Sequence, residues 1–365
     1  MSAVLALNCG SSSLKYALFE GDAPVLRGAV DRIGAGGAAD HAAAVHGLLD
    51  ELDGRGIAPV AAGHRIVHGG PDHVEPARVD APLLAWLARA VPFAPLHLPA
   101  ELRAIEAVRA RCGDLPQVVC FDTAFHRTLP EVARRYALPA ALFDAGVRRY
   151  GFHGLSYEHV VDSLGPASLG RAVLAHLGNG ASMVAVRDGR AIDTTMGFTP
   201  AAGLVMGTRP GDVDPGLVVY LLEHGGYDAR RLERLVNHEA GLLALSGTTS
   251  DMRELLARRA TDERARLAVD VFCYQARKWV GALAASLGGL EVLVFTGGIG
   301  EHSPDVRREI CRGLAHLGVA LDDARNAAGA SVIGAAKAAC QVHVVGTDEE
   351  RMIARHTRRV LELLR

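Results

Sequence analysis

VLALNCGSSSLKYALFEGD, residues 4–22, and AVLAHLGNGASMVAVRDGRAIDTTMG, residues 172–197, decide the fold class. Each opens on an apolar run, breaks at a turn of small residues and resumes as a second apolar run. The later copy adds an Asp188-Gly189 hairpin and a third strand. Starts about 170 residues apart, roughly one domain length, indicate a duplicated α/β unit. Further apolar runs follow in PVAAGHRIVHGG (59–70) and QVVCFDTAFH (117–126), with a helical stretch over Pro99–Arg111 between them. In the second half the pattern predicts a long helix over Ala260–Leu287 and a strand in EVLVFTGGIG (291–300) that ends in a glycine turn. A helix over Pro304–Leu317 and a last strand in CQVHVVGTDEE (340–350) complete it. Strands alternating with helices specify an α/β fold, whose binding loops sit at the carboxyl ends of strands. The stretch from Gly34 to Gly56 reads as a turn and helix with little side-chain chemistry.

At 365 residues the chain exceeds what one hydrophobic core usually covers, so two domains are expected. Lys and Arg number 39 against 41 Asp and Glu, a net charge of −2, which argues against a nucleic-acid or anionic-membrane partner. The six cysteines are scattered with no C-x-x-C pair, so neither a zinc ribbon nor a disulfide framework is expected. MSAVLALNCG lacks a basic n-region and a full apolar h-region, so no signal peptide is expected. The longest apolar stretch, Trp279–Leu290, is too short to span a membrane and reads as a buried helix leading into a strand. A cytoplasmic protein is the expectation.

Three glycine-rich turns follow apolar strands. NCGSSSLK (8–15) offers backbone N–H groups and hydroxyls to a phosphate, although its spacing is not that of a P-loop and a strand follows it. An ordinary Ser-rich β-turn is the competing reading. HLGNG (176–180) and FTGGIGEH (295–302) repeat the arrangement, and Gly297, Gly298 and Gly300 leave room for a flat base or ribose. Arg65 in GHRIVHGG and Arg209 in GTRPGDVDP sit on short segments near glycines, where a planar guanidinium suits a carboxylate or phosphoryl group. A salt bridge internal to the fold is the alternative for each. His64 and His68 are four apart but flank a strand, and no H-E-x-x-H occurs. His153 in YGFHGLS stands out because glycines bracket it. Asp122, Asp251 and Glu349 could hold Mg²⁺ or orient a reacting group, although each taken alone is more simply read as a helix N-cap.

In order along nearly the whole chain, NCGSSSLK, GHRIVHGG, APLHLP, FDTAFH, YGFHG, HLGNGAS, FTP-x-x-GLVMGTRPGDVDP, SGTTSDMRE, FTGGIGE and TDEERMIA resemble the acetate kinase family. That family lies within the wider superfamily of sugar kinases, heat-shock chaperones and actin. The resemblance implies two duplicated ribonuclease H-like, actin-like α/β domains flanking a nucleotide cleft. The first would span 1–123 with 350–365 returning to it, and the second, 124–349, would bind nucleotide and dimerise. It also implies reversible transfer of the γ-phosphoryl group of ATP to acetate, with ATP and ADP as substrates, Mg²⁺ (Mn²⁺ in its place) as cofactor, and a homodimer.

By the same resemblance, Asn8 and Glu349 would position the metal, and Ser11, Ser13 and Lys15 would lie in the phosphate hairpin. Arg65 and Arg209 would bind the carboxylate and the phosphoryl group in flight. His153 would donate to that phosphoryl, with Asp122 and His97 beside it. Val67, Leu96, Phe152 and Pro200 would enclose the alkyl group. His176, Leu177, Gly178, Asn179 and Gly180, with Asp251, Met252 and Arg253, and Gly297, Gly298, Ile299, Gly300 and Glu301, would hold the nucleotide. A metaphosphate-like transition state calls for fixed positive charge and alignment. A carboxylate is already ionised at neutral pH, so Asp122 is expected to orient or balance charge rather than abstract a proton.

The chain departs from the family pattern at Leu98, Ala201-Ala202, Pro210, His302 and Asp348, the last adding a charge beside the metal-positioning Glu349. Val67 favours the smallest acid, which makes propionate a slower substrate rather than an excluded one. A non-catalytic actin-like ATP-binding protein would leave Arg65, Arg209 and His153 unexplained, and a phosphatase would put water where acetate sits.

Overall fold

The computed structural model describes residues 3–10 and 12–362. The chain divides into two compact units, one of Met1–Arg127, Phe152–His159 and Asp348–Arg365, the other of Thr128–Gly151 and Val160–Thr347.

The first unit holds strands β1 (Val4–Cys9), β2 (Leu14–Glu20), β3 (Ala23–Val30), β4 (Ala61–Ile66), β5 (Ala77–Arg78) and β6 (Gln117–Phe121), in the order β3-β2-β1-β4-β6-β5. β1, β2 and β3 form an antiparallel meander, whereas β1, β4 and β6 run parallel. The central strand β1 is buried along its whole length and apolar at all but one position. On one face Leu5 and Leu7 meet Val45, Leu48 and Leu52 of helix His41–Gly54 and Ala104 and Val108 of helix Leu98–Cys112. On the other, Val4, Ala6, Val118 and Cys120 meet Met352, Ile353 and Ala354 of helix Glu349–Val360. Gly63 permits that helix to lie close: a Cβ there would come 2.2 Å from Thr357 Oγ1 and 2.6 Å from Ile353 Cγ2.

The second unit holds β7 (Arg171–Leu177), β8 (Ala181–Arg187), β9 (Arg190–Thr194), β10 (Val292–Thr296) and β11 (Gln341–Val344), in the order β11-β10-β7-β8-β9. β7, β8 and β9 are again an antiparallel meander, and β7, β10 and β11 again run parallel. Strand for strand, β9-β8-β7-β10-β11 repeats β3-β2-β1-β4-β6. The duplication is deeper than the sequence pattern suggests, because β3, which follows the Gly21-Asp22 turn, has no counterpart in that reading.

Three helix boundaries differ from expectation for local reasons. The long helix is Glu263–Leu287, because Asp262 accepts from the N–H groups of Arg264 and Ala265 and so caps it. GGIGEH is not a glycine turn but a short helix, Gly297–His302, entered through Gly297 at φ +76°. The predicted helix Pro304–Leu317 stops at Cys311, with Gly313 in the left-handed region, and resumes only as a single turn over Ala315–Leu317. Among the described residues no helix is long and apolar enough to cross a membrane, and all six cysteines are free thiols.

Two buried imidazoles tie stability to pH. His64 Nε2–H donates to Gln117 Oε1 (2.8 Å) and His126 Nε2–H to the Phe152 carbonyl (2.9 Å). Nδ1 of each has no hydrogen-bond partner among the described residues, so a second proton would be buried unpaired. Burial pushes both from 6.5 down to about 4. Between those values the unfolded chain binds more protons than the folded one. The stability due to neutral imidazoles is therefore complete above pH 6.5 and is lost as pH falls towards 4, by about 3 kcal/mol for each ring. Urea midpoints measured from pH 7.5 to 4.5 should fall less steeply for His64→Gln than for the parent chain; superimposable profiles would contradict the assignment.

Candidate active site

The parallel strands β1, β4 and β6 end side by side, with Leu7 paired to His64 and Ile66 to Phe121. Strand alternation puts Asn8, Arg65 and Asp122 on the same face as Ala6, Gly63 and Cys120, the face covered by helix Glu349–Val360. One sheet edge and one helix N-terminus therefore gather four polar side chains. Arg65 donates from Nε (3.0 Å) and Nη2 (2.5 Å) to Asp122 Oδ2, and from Nη1 to the Cys9 carbonyl (3.2 Å). Its Nε lies 4.0 Å from Glu349 Oε2. Asn8 Nδ2 donates to Glu349 Oε2 (2.8 Å) and Glu350 Oε1 (2.9 Å). Burial alone would push the Arg65 guanidinium down, but Asp122, Glu349 and Glu101 together hold it well above its ordinary range. A guanidinium carries five N–H donors; three are engaged among the described residues, which leaves one on each terminal nitrogen for an incoming anion.

Phe152, His153 and Gly154 close over this edge within the same unit. The Gly154 N–H donates to the Asp122 carbonyl (2.9 Å), and a Cβ on Gly154 would sit 2.1 Å from that oxygen. His153 is held at φ +58°, which costs a non-glycine residue roughly 1 kcal/mol or more. Val67 and Phe152 are fully buried, Leu96 and His97 half-buried, and His97 precedes the first residue of helix Leu98–Cys112. The His68 ring lies 5.1 Å from Phe93 and 5.5 Å from Phe152. In the phosphate hairpin the Gly10 N–H donates to the Ser13 carbonyl (2.8 Å), Lys15 points to solvent from β2, and Ser11 lies outside the described residues.

Glu101, which the sequence reading passes over, is buried here. Both its oxygens accept from the Val67 N–H (3.1 Å each). Burial pushes its carboxyl up to about 8, against the pull of Arg65 and of that N–H. The signal lies in its helix, where Glu101, Ala104, Ile105 and Val108 form one buried stripe at spacings of three and four. Glu350 is a second addition. The charge of Asp348, expected beside the metal, is instead spent on Arg27 (2.6 Å) and Arg351 (3.1 Å) while its side chain caps the helix.

In the second unit a cavity of about 650 Å³ opens where three of the predicted segments meet. Gly178 and Asn179 come from the β7–β8 turn, Asp251, Met252 and Arg253 from the start of helix Met252–Arg258, and Gly298 and Ile299 from helix Gly297–His302. Thr249, Ser250, Leu256 and the run His302–Asp305 complete the lining. The volume lies within the range of small-ligand sites. His176 and Leu177 remain in β7, and Gly180, Gly297, Gly300 and Glu301 stand outside the lining. Glu301 Oε1 instead accepts from the N–H groups of Gly297 and Thr347 (3.0 Å each) and fixes the loop behind it. Asp251 caps its helix, and its hydrogen bond from Arg253 holds its carboxyl below the usual range. Arg209 Nη1 donates to the Pro200 carbonyl (2.5 Å), and Met206 N–H donates to the Arg209 carbonyl (3.0 Å), so the loop from Phe198 to Asp214 is internally pinned.

A model of the acetokinase family matches residues 3–355. The chain is similar to the acetate kinase of Nitrobacter hamburgensis, 45% identical over 388 residues that cover 98% of this chain and 96% of that one. Among solved structures it is similar to the acetate kinase of Porphyromonas gingivalis (38% identity, TM-score 0.88, 99% and 100% covered). It is also similar to a propionate kinase of Francisella tularensis subsp. tularensis SCHU S4 (35% identity, TM-score 0.93, 99% and 100% covered). Full-length agreement in sequence and in fold establishes that the chain belongs to the acetokinase family.

Proposed function

We propose that this chain is an acetate kinase, which moves the γ-phosphoryl group of ATP reversibly onto acetate in one direct in-line step. The observation that carries the reading is the sheet edge on which Asn8, Arg65, Asp122 and Glu349 converge. Asp122 grips two nitrogens of Arg65 through one oxygen, so the fork is aimed before any ligand arrives. The two remaining N–H groups suit a carboxylate or the equatorial oxygens of a phosphoryl group. Arg209 supplies a second guanidinium and His153 a donor for the group in flight, while Val67, Leu96, His97, Phe152 and Pro200 provide the acid's surroundings. Acetate is ionised at neutral pH, so Asp122 serves as the anchor of Arg65 and no general base is needed.

Mg²⁺ fits the chemistry of the donors at this edge, which are carboxylate and amide oxygens. Among the described residues no three His, Cys, Asp or Glu side chains form a metal cage. That suits an ion held by Asn8 and Glu349 together with nucleotide phosphates, where it would neutralise charge on the transferring group. The nucleotide itself is assigned to the 650 Å³ cavity of the second unit. ATP as substrate and six free thiols support a cytoplasmic setting. Helix Pro215–Glu223, PGLVVYLLE, is apolar yet has no buried residue, and Leu217, Val219, Tyr220 and Leu222 are exposed. Such a face suits the self-complementary contact of a homodimer.

The central test is purified protein with ATP and Mg²⁺, following ADP and acyl phosphate with acetate, propionate or butyrate; ADP without acyl phosphate would replace the kinase by a hydrolase. Arg65→Lys and Arg209→Lys should each lose at least about 100-fold in kcat/KM, since a point charge does not reproduce the fork. Asp122→Asn should lower kcat but keep the shape of the pH–rate profile; loss of a limb would make Asp122 a base. Val67→Ala should raise the propionate-to-acetate ratio of kcat/KM about tenfold, one methylene being worth roughly 1–3 kcal/mol, and an unmoved ratio would remove Val67 from the pocket. Sedimentation should find a dimer that Val219→Asp dissociates, whereas a monomeric parent chain would end the dimer proposal.

A further inference from the structure

Arg307 is the largest fully buried side chain in the second unit, and no ion pair joins it among the described residues. Nε donates to Asn326 Oδ1, Nη1 to the carbonyls of Gly300 and Glu301, and Nη2 to the Asn326 carbonyl, each at 2.8 Å. Asn326 is itself fully buried, and its Nδ2 donates to the Pro304 carbonyl (2.9 Å). A buried cation without a carboxylate partner is expensive, so what it engages is informative.

It engages the wall of the 650 Å³ cavity from behind. Gly300 and Glu301 belong to the short helix Gly297–His302, whose late carbonyls have no partner within the helix and attract positive charge. The same helix presents Gly298, Ile299 and His302 to the cavity, and the next residues, Ser303, Pro304 and Asp305, line it too. Arg307 and Asn326 do not line it. Six residues with three glycines form a poor helix on their own, because glycine loses the most backbone freedom on ordering. The wall therefore needs an outside clamp.

We propose that Arg307 and Asn326 are positioning residues for the nucleotide: they hold the Gly297–Asp305 wall in register, and so set nucleotide affinity without touching the ligand or the reacting atoms. The proposal rests on the nucleotide occupying this cavity. Arg307→Lys keeps the charge but not the four-bond fork. It should raise the KM for ATP about tenfold or more, change kcat less than about threefold and leave the KM for acetate within about twofold. The thermal shift that ADP gives the parent chain should shrink in parallel. Asn326→Ala leaves the bonds from Arg307 to Gly300 and Glu301 in place, so it should move the KM for ATP in the same direction by less. It stands in if Arg307→Lys does not fold. A merely structural role would lower Tm and leave both KM values alone; that result, or equal rises in both KM values, overturns the proposal. Ile299→Trp, which fills the cavity, separates the two ideas. If ATP binding survives it, both the cavity assignment and the positioning role fall; if it weakens ATP while folded Arg307→Lys and Asn326→Ala do not, the positioning role alone falls.

Discussion

The pair between Arg65 and Asp122 is the constraint around which the first unit's site is arranged. Asp122 is fully buried and Arg65 mostly so, which means that the carboxylate has no water to fall back on. Removing such a partner leaves a buried charge uncompensated, a loss of about 3–5 kcal/mol. The geometry is correspondingly fixed: one carboxylate oxygen takes two donors, the Cys9 carbonyl takes a third, and the fork has a single direction. Asp122, Glu349 and Glu101 act on one guanidinium, and Glu350 meets Asn8 beside it. Burial raises the Glu101 carboxyl, and the excess of negative charge that Asp122, Glu349 and Glu350 bring to the edge accords with the divalent ion proposed there.

Two copies of one topology serve different chemistry. In the first, the carboxyl ends of β1, β4 and β6 carry Asn8, Arg65 and Asp122, all charged or strongly polar. In the second, the ends of β7 and β10 carry Gly178 and Gly297, and an open cavity beside them is lined by glycines together with Met252, Arg253, Leu256 and Ile299. Parallel strands with a meander at one side supply the same edge twice, and the residues just beyond the last hydrogen-bonded pair decide what each edge binds.

Much of this was legible beforehand. The alternating apolar runs marked nine of the eleven described strands, all but β3 and β5, and the ordered motifs named many of the residues at both edges. What escaped was set by distance in sequence rather than by local pattern. Glu101 looks like any first-turn acid of a helix until its stripe is matched to the sheet it covers. Asp348 looks like an extra charge near a metal until Arg27, 321 residues earlier, reaches it. GGIGEH reads as a turn because glycine is a poor helix former, yet it is a short helix whose Gly300 and Glu301 carbonyls accept from Arg307. The exposed apolar helix Pro215–Glu223 carries no polar stripe, so its periodicity does not reveal that it lies unburied in the described chain.

Gly63 lets helix Glu349–Val360 settle on β1 and β4, and that close fit has a bearing on how the chain is made. Asn8 finds Glu349 across 341 residues. On a ribosome, β1 emerges first, yet one whole face of it stays uncovered until the helix that seals it has been translated. Contacts of such separation form late and slowly. The second unit can complete its own sheet earlier, since β7 to β11 lie within one continuous stretch. The acidic and arginine-bearing edge is therefore assembled last, and a truncated chain stopped before residue 349 keeps its glycine-lined cavity but has no Glu349 to set against Asn8.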